Sequence, residues 1–184
     1  MPWRACGGEQ ERDGMDHVIA LRPLQDSDPK LLEAAFAAIG WCKPQEQYLG
    51  YLAEQRAGAR VCVVAEVDGA FAGYGTLRRS SDYPPFRDEG VPEVADLNVL
   101  PPYRRRGVGT ALLDALEHEA AAHGPRVGIG VGLSADYGAA QRLYVQRGYV
   151  PDGRGVMHHD RPVAPGALVP LDDDATLMLV KDLR

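Results

Sequence analysis

Apolar positions along this chain switch between a period of two and a period near 3.6, and the switches mark out the elements. Residues 18–22 read as a short first strand. Asp28 offers its carboxylate as a helix N-cap, with Pro29 at the first helical position, where a missing N–H costs nothing. Leu32, Ala35, Phe36 and Ile39 recur at helical spacing, and Gly40 suits the end of that helix. A second helix is expected over about residues 45–55, between Pro44 and Gly58. Residues 61–67 are rich in β-branched side chains and residues 71–77 answer them across the tight-turn dipeptide Asp68-Gly69, which predicts an antiparallel hairpin. Residues 80–92 contain prolines and read as a loop; residues 93–100 read as a strand closed off by Pro101-Pro102.

Beyond that point the period lengthens. From Gly109 to about His123, Leu112, Ala115, Leu116 and Ala120 share one helical face, with Asp114, Glu117 and His118 opposite. Gly124-Pro125 stops the helix. Val127, Ile129, Val131 and Leu133 then alternate with Gly128, Gly130 and Gly132, a strand with one face nearly bare. A helix backbone or a ligand must lie close against that face. A short helix over about residues 138–147 ends at Gly148; a strand near Tyr149 or over residues 156–158, a polar Pro/Gly arm (residues 161–174) and a last strand over residues 176–181 complete the chain. The order predicts one mixed sheet in an α/β (α+β) domain spanning residues 16–184, after a flexible N-terminal extension of residues 1–15. The arm is long enough to cross to a neighbouring copy, so the chain is expected as a monomer or a homodimer.

Composition narrows the class. In 184 residues, 45% hydrophobic and 25% charged is a globular balance. A net charge of -6 argues against a nucleic-acid binder, which carries a basic face. Cys6, Cys42 and Cys62 stand at no metal-ligand spacing and suit a reduced protein. No apolar run reaches membrane length and the N-terminus lacks an export signal's apolar stretch, so no membrane partner and a cytoplasmic location are expected. His158, His159 and Asp160 cluster, but adjacent strand histidines point to opposite sides, and no metal is expected.

The informative junction is the passage from the strand at Glu93 into the helix after Gly109. Arg104, Arg105 and Arg106 precede Gly107, Val108, Gly109 and Thr110. Glycines let backbone approach a ligand closely, opening helix N–H groups favour an anion, and arginine forks suit phosphate oxygens. A Walker loop would need lysine here, and a dinucleotide fingerprint would need glycine where Leu112 stands. A solvated arginine turn ahead of a plain helix start is the alternative.

The run from Leu97, Asn98 and Val99 through Pro101 to Arg104, Gly107 and Gly109 resembles the acyl-CoA signature of the GNAT superfamily of N-acetyltransferases. A later segment, Ala140 to Tyr149 with Leu143, Tyr144 and Gly148, resembles the family's A-x-x-L-Y-x-x-x-G-F/Y motif. The two motifs cover about the middle third of the chain. The resemblance implies a sheet of about six or seven strands with four helices, and acetyl-CoA as co-substrate. It also implies a primary amine of a small molecule or peptide as acceptor, with a non-catalytic acyl-CoA sensor on the same fold as the alternative. It assigns the loop amides to the CoA pyrophosphate and the backbone of Leu97–Val99 to the pantetheine arm. Tyr137 stands where the family often has a cofactor-binding Asn, and Ala140 and Arg147 are further cofactor-side candidates.

The family's catalytic roles carry over to named positions. Glu93 matches the glutamate base of histone-acetylating members, and Asp96 lies nearer the expected acetyl position. Their odd separation puts them on opposite faces of a regular strand unless a bulge intervenes. A solvent-facing edge carboxylate and a turn-binding residue are the plainer alternatives for these two. Tyr144 matches the tyrosine that faces the CoA sulfur, against an ordinary core tyrosine. On the acceptor side, Trp41, Tyr83, Phe86 and Arg87 fall in loops where aromatic and charged groups can meet a substrate.

Overall fold

The computed structural model describes residues 18–183. The expected extension at residues 1–15, and Cys6 within it, lie outside the described residues. One eight-stranded sheet organises the rest, in the order β1-β2-β3-β4-β5-β8-β6-β7. Its strands are β1 (Ile19–Pro23), β2 (Arg60–Val67), β3 (Ala70–Arg78), β4 (Glu93–Val99), β5 (Arg126–Gly132), β6 (Val150–His158), β7 (Arg161–Pro162) and β8 (Ala175–Asp182). The helices are α1 (Asp28–Ala37), α2 (Gln45–Arg56), α3 (Pro84–Asp88), α4 (Val108–Ala121) and α5 (Gly138–Gln146). The count exceeds the expected six or seven strands and four helices. The two-residue β7 hairpin strand and the short α3, inside what the sequence presents as a proline loop, account for the excess.

Every pairing is antiparallel except β4 with β5. The Asp68-Gly69 hairpin forms as expected, with both turn residues at positive φ. On one side, α1 and α2 pack Leu32, Phe36, Tyr48 and Leu52 against Cys62, Val64 and Tyr74. Leu113, Leu116 and Ala120 of α4 bury against Leu77, Val94, Val127 and Ile129, in a cluster that also takes Tyr144 and Tyr149. Burial of this apolar surface is the main stabilising term, about 1.5–3 kcal/mol for each fully buried large side chain.

Two local expectations need correction. Asp28 is not the N-cap of α1: Ser27 holds that position and Asp28 is the first helical residue. Its carboxylate instead accepts a hydrogen bond from the Gln25 amide and a two-pronged pair from Arg22. The bare face of β5 is filled by side chains. A Cβ on Gly128 would fall 2.2 Å from the Phe86 ring, one on Gly132 would fall 2.4 Å from the Tyr137 ring, and one on Gly130 would meet Met178 at 3.2 Å.

Candidate active site

The site begins with a defect in β4. Tyr74 pairs with Asn98 but Thr76 with Ala95, so Gly75 alone stands opposite Asp96 and Leu97. Asp96 takes up the extra residue at φ 57°, a β-bulge with a non-glycine residue in the left-handed region. The register shift brings both strand carboxylates to one side. Val94 and Leu97 pack toward Leu113 and Leu116 of α4, whereas Glu93 meets Ser81 and Asp96 meets Tyr51 and Tyr74. The opposite-face arrangement of a regular strand therefore does not apply.

Glycines accommodate the bulge. A Cβ on Gly73 would come within 2.4 Å of the Asn98 carbonyl oxygen, and one on Gly75 within 2.7 Å of Leu97. The bulged strand lies close on β3 and parts from β5. Only Glu93↔Gly128 and Val94↔Ile129 pair across β4 and β5, with the Gly128 amide also donating to the Pro92 carbonyl. From Ala95 onward, β4 and the facing edge of Gly130–Gly132 have no ladder to each other, so two rows of backbone donors and acceptors line an opening.

That strand leads through a 3-10 turn at Pro101–Tyr103 into α4. Gly107 sits at φ 85° and serves as the N-cap with no side-chain cap, leaving the first helical N–H groups to a ligand. Gly109 is half-buried under Leu143 and Val99, Val108 is buried, and Thr110 is exposed. Arg104, Arg105 and Arg106 are exposed and form no ion pair with a carboxylate among the described residues. Arg104 donates to the Val99 carbonyl and lies 5.6 Å from the Trp41 ring centre, which stacks on Phe36. Open amides, arginines without carboxylate partners and a glycine entrance fit a pyrophosphate.

Glu93 and Asp96 have opposite electrostatics. Burial pushes the Glu93 carboxyl above its ordinary range, against the opposing pull of the Ser81 hydroxyl, with Asp160 and Asp82 adding to the rise and Arg78 resisting it. Asp96 is half-buried, but Lys43 and the hydroxyls of Tyr74 and Tyr51 outweigh its desolvation and hold it below the usual range. Its Oδ1 accepts from Lys43 at 2.7 Å and Asn98 at 2.6 Å; its Oδ2 accepts from Gln47 at 2.6 Å, Tyr51 at 2.8 Å and Tyr74. A carboxylate so engaged is a poor proton acceptor. Tyr144 is buried beside Tyr149, its ring 5.9 Å away, and burial raises its hydroxyl above the ordinary value. Tyr137 donates to Asp173 at 2.8 Å, and burial pushes its hydroxyl up to about 12. Ala140 packs half-buried against the cluster holding Tyr144.

Other candidates lie elsewhere. Arg147 is engaged by Asp114 at 2.6 Å and Glu117 at 2.8 Å, tying the end of α5 to α4. Tyr83 and Phe86 are buried with Val91, Met157 and Met178, Tyr83 donating to Asp152 and Phe86 filling the space over Gly128 of β5. Arg87 is exposed and pairs with Asp88. Trp41 alone of the four acceptor candidates stands beside the arginine loop. Sequence reasoning missed Ser81, Lys43, Gln47, Tyr51 and Tyr74. Lys43 reaches Asp96 across 53 residues of chain, and no local pattern signals such a contact. His158 and His159 pair separately with Asp172 and Asp174, and no group of side chains among the described residues is arranged to hold a metal.

The acetyltransferase (GNAT) family model matches residues 27–149. No match was found among curated proteins. Among solved structures, an N-acetyltransferase from Staphylococcus aureus Mu50 is similar with a TM-score of 0.67 and 16% identity, over 91% of this chain and 99% of its own. yncA of Salmonella typhimurium, solved with its cofactor acetyl-CoA, gives 0.64 and 19% over 90% and 94%. A ribosomal-protein-alanine N-acetyltransferase from Brucella melitensis gives 0.65 and 19% over 89% and 99%.

Proposed function

The chain belongs to the GNAT acetyltransferase family, and from that premise we propose that it moves the acetyl group of acetyl-CoA directly to a primary amine of a small molecule or peptide. The observation that carries this reading is the parting of β4 from β5 beyond Val94 and Ile129, on the strand that feeds the uncapped, arginine-flanked start of α4. Neighbours named for acetyl-CoA and for a ribosomal-protein alanine support the cofactor and the amine chemistry. The free thiols Cys42 and Cys62 suit work in the cytoplasm.

Bound acetyl-CoA supplies an activated thioester, and the chain's residues do the rest. Backbone groups of Leu97–Val99 pair with the pantetheine amides, while the arginines and the N–H groups from Gly107 onward hold the pyrophosphate. The acceptor amine must lose a proton, because a lysine-like amine with a pKa of about 10.4 is mostly charged at neutral pH. Glu93 accepts that proton, directly or through water; its raised pKa makes it a stronger base than an ordinary carboxylate. As the N–C bond forms and the C–S bond breaks, Tyr144 donates its O–H proton to the departing sulfur, and the second proton shed by the acylated nitrogen returns to the tyrosine oxygen through solvent.

Calorimetric titration of acetyl-CoA into the wild type and a Gly107→Glu variant tests the cofactor site. One-site binding by the wild type, abolished in the variant, is expected. Free-thiol release with a panel of amines then tests turnover. Binding without thiol release for any amine leaves the alternative of a non-catalytic acyl-CoA sensor. No binding by folded wild type overturns the assignment.

A further inference from the structure

The five hydrogen bonds on Asp96 come from four places: the loop between α1 and α2 (Lys43), α2 (Gln47, Tyr51), β3 (Tyr74) and β4 itself (Asn98). A proton-shuttling carboxylate needs a free lone pair; this one has spent its capacity on fixed donors. The residue also carries the left-handed φ of the bulge, which persists only where surroundings enforce it. Those surroundings are the donors from α2 and its preceding loop. The bulge in turn brings Asn98 and Val99 close over Gly73 and ends the β4–β5 ladder.

Resting on the acetyltransferase reading, we propose that Asp96 is a positioning residue. Its carboxylate, clamped by Lys43, Gln47, Tyr51, Tyr74 and Asn98, holds the bulge that turns Leu97–Val99 away from β5 and so sets the cofactor opening from the acceptor-side wall. The consequence is coupling. Substitutions at Lys43 or Tyr51, whose polar atoms bond Asp96, change affinity for acetyl-CoA through the backbone of β4. Lys43 acts through Asp96: once Asp96 is gone, removing Lys43 adds little.

The test measures acetyl-CoA affinity by calorimetry and the pH dependence of kcat/KM for the wild type, Asp96→Asn, Lys43→Met and the double variant. Expected are about tenfold weaker acetyl-CoA binding in Asp96→Asn, a smaller loss in Lys43→Met, and a double variant no worse than Asp96→Asn. The acid limb of the rate profile, set by Glu93, stays in place. Wild-type affinity in a folded Asp96→Asn overturns the proposal, and so does loss of the acid limb, which would make Asp96 the base. Should Asp96→Asn fail to fold, Lys43→Met and Tyr51→Phe each remove one donor and carry the same reading. Full affinity in both overturns it. Wild type that binds no acetyl-CoA removes the acetyltransferase reading and this inference together; wild type that binds while the variants keep full affinity removes this inference alone.

Discussion

Two carboxylates three residues apart on one strand differ because one is buried with a single hydroxyl and the other with an ammonium and four further donors. The raised pKa of Glu93 has a definite sign for stability. The folded state favours the protonated form, so the contribution is fully present below the ordinary carboxylate range and is lost as pH rises through the folded value. Glu93→Gln removes that cost. Its melting temperature relative to wild type is expected to climb as pH is raised from acid to neutral, in parallel scans at matched ionic strength. The same variant is expected to lose about a hundredfold or more in kcat at neutral pH, with acetyl-CoA affinity unchanged, by steady-state kinetics and calorimetry. A stability gain beside an activity loss marks a group kept for chemistry. Tyr144→Phe is expected to lower turnover by about a hundredfold while leaving acetyl-CoA affinity near that of wild type; unchanged turnover removes the hydroxyl from the mechanism.

At the scale of elements, the strands around the opening depend on what glycine leaves out. Gly73→Ala places a methyl against β4 backbone, which cannot swing aside as a flexible side chain can, so β3 and β4 must separate. We expect a loss of stability of about 1–3 kcal/mol with weakened acetyl-CoA binding, by chemical denaturation and titration. Gly128→Ala meets the Phe86 ring instead, and its effect is expected in stability alone. Much of this frame was legible in the sequence. The β2–β3 hairpin follows from Asp68-Gly69, α4 from its apolar face, and the junction after β4 from its prolines, arginines and glycines. The glycine alternation in β5 announced a close neighbour but not its kind: a helix backbone or a ligand was expected, and side chains fill the face. Phe86 and Tyr137 reach it from 42 and 5 residues away in number, along paths that periodicity does not encode. The bulge at Asp96 could be raised only as an alternative through the family resemblance, since nothing in the run Ala95-Asp96-Leu97 itself distinguishes it from a regular strand.

The whole molecule is joined across its elements by Glu117. From α4 it takes Arg147 beyond α5 at 2.8 Å and Lys181 of β8 at 2.6 Å, and these cations hold it below the ordinary carboxylate range. The stability it contributes is present above that range and is lost as pH falls through the depressed value. Glu117→Ala leaves Lys181 without a carboxylate partner in a mostly buried place and Arg147 with Asp114 alone. A loss of about 3 kcal/mol is expected, fading toward strongly acid pH, by denaturant titration at several pH values. The thiols divide in the same spatial sense. Cys62 lies in the core between sheet and α2, where burial pushes it up to about 12 and makes it inert. Cys42 is exposed, next to Trp41 beneath the arginine loop and Lys43 on Asp96. In a Cys6→Ser background, a maleimide dye therefore has one open address, between the arginine loop and the Asp96 cluster of the proposed site. Its emission would serve as an optical readout, changing first with acetyl-CoA and again with an amine, and would let the acceptor be sought by fluorescence before any turnover assay exists.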